Sequence, residues 1–96
     1  MNIETQFAMK HFLDDMNEII VNEVKNGSID ITKGEFDIIH EIEKKCEKWI
    51  ESQTAENNPI TRFLKEFTVC IDWHEIAIEV YNDEIKYMEE VANNES

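Results

Sequence analysis

Few residues in this chain stand at spacings that could do chemistry. Cys70 and His74 lie one helical turn apart, as two zinc ligands would, but two ligands do not make a zinc site. The stretch KNGSIDITKGEF, residues 25–36, has the outline of a calcium-binding loop. With Gly27 at the loop's sixth position, the ligand positions fall on Asn22, Val24, Asn26 and Lys33. Valine offers no ligand atom and a lysine ammonium repels the ion, so the loop is a connection between helices. Asn26-Gly27 predicts a helix stop through a positive-φ residue. Thr32 with Glu35 predicts a capping box, with Ile31 and Phe36 as its hydrophobic staple.

Two carboxylate patterns also invite comparison with known chemistry. Asp37-x-x-His40 resembles the Glu-x-x-His of di-iron bundles, a family that needs the motif twice plus two inward glutamates. Only one imperfect copy is present. Asp14, Asp15 and Glu18, in DDMNE, resemble the first magnesium-binding motif of all-α nucleotide pyrophosphohydrolases of the MazG type. That resemblance implies a magnesium-dependent hydrolase. The family's second motif is missing, since Asp72 to Glu75 (DWHE) runs in the opposite order. No Gly-rich phosphate loop is present and no nucleophile triad follows from spacing. His11 reads as a solvated residue beside Asp14 and Asp15. No catalytic residue, metal or cofactor is expected, and the chain is expected not to be an enzyme.

The elements that position these residues follow from periodicity. Ninety-six residues with two Gly and one Pro predict a single all-α domain of a few long helices. A first helix, about 3–26, gathers Met9, Phe12, Leu13, Met16, Ile19, Ile20 and Val24 on one face. A second, about 33–53, gathers Phe36, Ile39, Ile42, Cys46, Trp49 and Ile50. Asn58 as a cap and Pro59 at the first helical position open a third. From there a 4-3 stripe runs through Ile60, Leu64, Phe67, Ile71, His74, Ile78, Tyr81, Ile85 and Met88. It predicts one continuous helix over about 59–92, roughly 50 Å long at 1.5 Å per residue. The competing signal is Asp72-x-x-Glu75, which reads as a cap; the unbroken phase is ranked above it. Cys46 and Cys70, both on apolar faces and without C-x-x-C spacing, read as buried free thiols.

The third helix carries more apolar circumference than its own stripe. Val69, Trp73, Ile76, Val80, Tyr87 and Val91 form a second strip, widening the arc to about 240°. This strip is expected either to receive another helix of the same chain or to be a partner-binding face or a homodimer seam. Beside it stand Asp72, Glu75, Glu79, Asp83 and Glu90, an acidic ridge with Lys86 as its one base. The whole chain has 22 acids against nine Lys and Arg, net −13, with −7 of it in residues 55–96. Such a surface repels nucleic acid and anionic membrane and attracts a basic protein. No apolar run approaches the ~18 residues of a membrane span and no secretory signal opens the chain, so a cytoplasmic location is expected. Abundant Ile, Asn and Lys with scarce Ala and a single Arg follow AT-rich codons, which suggests a low-GC bacterium or its phage. In class, such a protein resembles the inhibitors that phages and mobile elements encode, including anti-CRISPR and restriction-blocking proteins. That resemblance implies a non-catalytic protein that blocks a basic nucleic-acid-binding face. An acidic homo-oligomeric scaffold is the alternative.

Overall fold

The computed structural model describes residues 1–95, and among them the fold is all-α, with no strand. Helix α1 spans Ile3–Lys25, α2 Glu35–Gln53, α3 Pro59–Val69 and α4 Trp73–Val80. A π-helical turn, Tyr81–Ile85, then joins α4 to α5, Lys86–Glu95. Asn2 caps α1, its side chain accepting the Thr5 N–H at 2.8 Å. Helix α1 ends as expected: Gly27 takes φ +85°, and the turn lowers Ile29 into the core.

The start of α2 departs from expectation. Its N-cap is Gly34, with no side-chain cap bond, because Thr32 is engaged elsewhere. Asp30 Oδ1 accepts both the Thr32 N–H, at 2.9 Å, and the Thr32 hydroxyl, at 2.6 Å. These bonds, the hydroxyl's first, hold the Asp30 carboxyl below its ordinary range. The staple does not form either: Ile31 packs against the core while Phe36 is exposed. The Asn58 cap with Pro59 does form, and it closes a box in which Thr61 Oγ1 accepts the Asn58 N–H at 3.0 Å.

The expected long third helix is broken. At Asp72 the backbone turns extended (φ −82°, ψ 90°), and its carboxylate accepts the Glu75 N–H at 3.1 Å, starting α4 afresh. The capping signal therefore prevails over the continuous phase, and the N-terminus of α1 explains why. Thr5, fully buried, accepts the Asp72 N–H on its hydroxyl at 2.8 Å. Asn2 donates its side-chain amide to the Cys70 carbonyl at 2.6 Å. Two backbone groups that the break would orphan are thus satisfied by α1.

The break also exchanges the inward face. In α4 the buried side chains are Trp73, Ile76 and Val80 of the second strip, with Ala77 between them, while His74 and Ile78 of the first stripe are exposed. The π turn then reverses the exchange. Its extra residue, marked by the Lys86 N–H bonding to the Tyr81 carbonyl, rotates the following segment. Tyr81, Ile85 and Met88 of the first stripe face inward, and Tyr87 faces out. The core is thus built from α1 (Ala8, Met16, Ile20), α2 (Ile38, Ile42, Cys46) and the α4–π segment (Ile76, Val80, Ile85).

Helix α4 lies between α1 and α2. It begins beside Thr5 and passes Met9 at Glu79, and Glu84 of the π turn then lines a groove with Asn17 and Val21, so α1 and α4 run in the same direction. Helix α3 stands apart. It buries no side chain fully; Thr61, Phe67 and Thr68 are half-buried. The extents of 52 × 26 × 19 Å and a radius of gyration of 14.4 Å mark an elongated molecule, against about 12.5 Å for a compact chain of this length.

Candidate functional site

The apolar strip expected to meet a partner is largely the protein's own interior. Trp73 is 9% exposed and Val80 0%, and Ile76 is equally enclosed. Neither a partner nor a second copy reaches these three without unfolding α4. Val91 is half-buried, and the remaining members, Val69 (81% exposed) and Tyr87 (69%), stand outside. They do not form one strip: Val69 ends α3, while Tyr87 follows the π turn.

The acidic ridge is at the surface. Asp72, Glu79, Asp83 and Glu90 are exposed and Glu75 is half-buried. Asp72 has a structural duty as the α4 cap, which ties up one carboxylate oxygen. Among the described residues Lys45 and Glu23 form an ion pair at 3.4 Å and the His74 imidazole lies 3.4 Å from the Glu43 carboxylate, and no ridge acid takes part in either contact. His74 is therefore a surface residue facing α2, not the core imidazole its place in the stripe suggested.

The fold adds acids that the wheel of the C-terminal segment could not show. Because α4 runs alongside α1, Glu79 lines a shallow groove with Lys10, Met9 and Leu13. Further along, Glu84 lines another with Asp14, Glu18 and Lys25. Glu84 thus brings Asp14 and Glu18 of α1 beside the C-terminal segment, where they face an open groove and not an enclosed pocket, while the charged α1 neighbour of the ridge acid Glu79 is Lys10. Among the described residues no three His, Cys, Asp or Glu side chains converge as a metal site would need. On α2, Glu43, Glu47 and Glu51 follow at one-turn spacing. The Glu47 carboxyl is pushed up, by burial first and then by its two acidic neighbours.

The two cysteines differ. Cys46 is buried, and desolvation pushes its thiol up to about 12. Cys70, expected to be buried, is exposed at the break, where its thiol lies 3.7 Å from the Glu66 carbonyl.

An aromatic cluster joins α1, α2 and α3. Phe7 meets Phe67 edge-on at 5.3 Å between ring centroids and Phe12 at 5.9 Å, and Phe12 meets Trp49 at 6.0 Å. With Leu64 these rings line an apolar groove of about 340 Å³. Sequence reasoning missed this groove, because Phe7 falls outside the α1 stripe and only the crossing of α3 brings it beside Phe67. Among the described residues no helix is long and apolar enough to cross a membrane. No family model matches the chain, and no characterised protein or solved structure resembles it closely enough to be significant.

Proposed function

We propose that this chain is a non-catalytic, acidic protein-binding module of the inhibitor type, directed at the basic nucleic-acid-binding surface of another protein. The observation that carries this reading is the uncompensated charge. Of 22 acids, only Glu23 meets a lysine or arginine in an ion pair among the described residues, and Glu84 of the π turn adjoins Asp14 and Glu18 of α1. Carboxylates one turn apart on a helix stand about 6 Å from each other, close to the spacing of phosphates along a strand. Such a face would speed encounter with a basic groove and compete with nucleic acid for it. Apolar anchoring by Trp73 and Val80 is not part of the mechanism, since both are interior. Tyr87, exposed among the acids of the C-terminal segment, is the aromatic left to serve.

The test compares the wild type with a Glu75→Lys/Glu79→Lys/Asp83→Lys variant as bait in a low-GC bacterial lysate. None of the three is in the core, so helicity by circular dichroism should be unchanged. The wild type should retain a nucleic-acid-binding protein that high salt releases, and the variant should not. Equal retention by both baits would refute the reading.

A further inference from the structure

Between Thr54 and Ile71 the chain leaves the core and returns to it without burying a residue. Thr54 is buried, and its hydroxyl donates to the Ile50 carbonyl at 3.0 Å, closing α2. Ile71 is buried too, and Asn2 and Thr5 hold the corner around it through Cys70 and Asp72. None of residues 55–70 is buried. Asn58 and Thr61 are half-buried and bond to each other in the α3 cap. Phe67 packs against the core, and Thr68 is half-buried next to it. Ile60 is 72% exposed and Phe63 67%, so neither holds the helix in place.

Little beyond Phe67 ties this segment down. Its side-chain hydrogen bonds stay within it, except the one from Asn2 to the carbonyl of Cys70, its last residue. Among the described residues no ion pair reaches it. Two grooves flank its contact with α2. One is the aromatic groove of about 340 Å³, and the other, of about 510 Å³, is lined by Glu47, Glu51, Val69 and Trp73. Ile50, Thr54 and Thr68 border both, so α3 meets α2 along one narrow seam. An 11-residue helix is marginal in water by itself. A segment that leaves the seam therefore loses its helix as well.

We infer that residues 55–70 form a strap that opens by local unfolding, between fixed points at Thr54 and Ile71, while the core of α1, α2 and α4 stays folded. The core persists because its fully buried residues, such as Ile20, Ile42 and Ile76, all lie outside the strap. Opening joins the two grooves into one channel. Its floor is apolar, made by Phe12, Trp49, Ile50 and Trp73, and Glu47 and Glu51 stand at its edge. The closed strap divides that channel, with Phe67 as the latch against Phe7. Neither the acidic ridge nor a basic partner is needed for this motion.

Amide hydrogen exchange of the full chain, resolved by residue, tests the strap. Amides of residues 63–69 should exchange about a hundredfold faster than those at the centres of α2 and α4, yet more slowly than an unstructured peptide. Phe67→Ala should speed exchange in α3 by a further tenfold or so. Ile42→Val should speed α2 and α4 by about three- to tenfold and leave α3 unchanged, because the open strap keeps the core that Ile42 serves. Protection of α3 equal to that of α2, or none at all, would overturn the inference. So would an Ile42→Val effect as large in α3 as in α2, or a Phe67→Ala variant whose α3 exchanges at the wild-type rate.

Discussion

Replacing Asp72 by alanine separates the broken C-terminal segment from a continuous helix by the sign of a single number. In the structure Asp72 is the N-cap of α4, its carboxylate accepting the Glu75 N–H at 3.1 Å from an extended backbone. Losing such a cap costs about 1 kcal/mol. For a domain of this size that is a fall in Tm of about 4–8 °C. Within a continuous helix the same residue would be interior, where alanine is favoured over aspartate by about 0.5 kcal/mol, so the substitution would raise stability. A companion change sharpens the comparison. Thr5→Val removes the hydroxyl that accepts the Asp72 N–H at 2.8 Å. It strands a partly buried donor at a cost of about 1–2 kcal/mol. In a continuous helix that N–H would bond to a carbonyl one turn back, and Thr5→Val would leave it satisfied. Urea and thermal melts followed at 222 nm give both values, with Glu79→Ala, exposed within α4, as the control expected to change little. Stabilisation by Asp72→Ala together with a neutral Thr5→Val would refute the break and the face exchange built on it.

Five further outcomes follow from the same packing. Ile76→Ala, in the middle of the α1–α2–α4 core, should cost about 2–5 kcal/mol, and Val80→Glu should prevent folding instead of splitting an assembly; both are read from denaturant melts. Deleting the exposed Asn82 should convert the π turn to α-helix while keeping Ile85 and Met88 inward, so stability should change by less than about 1 kcal/mol; collapse of the melt would contradict the register shift. Tyr81, raised from 10.0 to about 12 by burial and then by its 2.8 Å bond to Glu89, should ionise late in an absorbance titration of a Tyr87→Phe variant. Because the unfolded tyrosine gives up its proton first, stability should fall as pH rises between about 10 and 12 and be untouched by this group below that window. A thiol reagent should label Cys70 at once and Cys46 only on unfolding.

The helical class and several ends were legible because they rest on local chemistry. Gly27 has its positive φ and Asn58 caps Pro59 with no help from distant residues. The Asp72 cap was legible too, but the groups that secure the break come from far along the chain: Asn2 bonds Cys70 across 68 residues and Thr5 bonds Asp72 across 67. A helical wheel shows which side chains share a face and does not show which of two apolar faces meets a neighbour. Here both are used in turn: Phe67 first, then Trp73 to Val80, then Tyr81 to Met88, with the corner at Asp72 and the π turn as the two switches. That is why the wheel points Trp73 and Val80 toward a partner, and Cys70 and His74 toward the interior. Among the site residues, the ridge acids were legible from composition and period. Glu84, Asp14 and Glu18 required the parallel packing of α1 with α4, and the exposure of Ile60 and Phe63 required knowing that α3 stands off the core.

In the proposed function the acidic face takes the place of nucleic acid on a basic partner. Duplex DNA should therefore elute whatever the immobilised wild type retains, at constant ionic strength and without any change of pH. Elution by DNA, and not by an uncharged polymer of equal mass, is the predicted result. Retention unaffected by DNA, or no protein retained at any salt concentration, would contradict it.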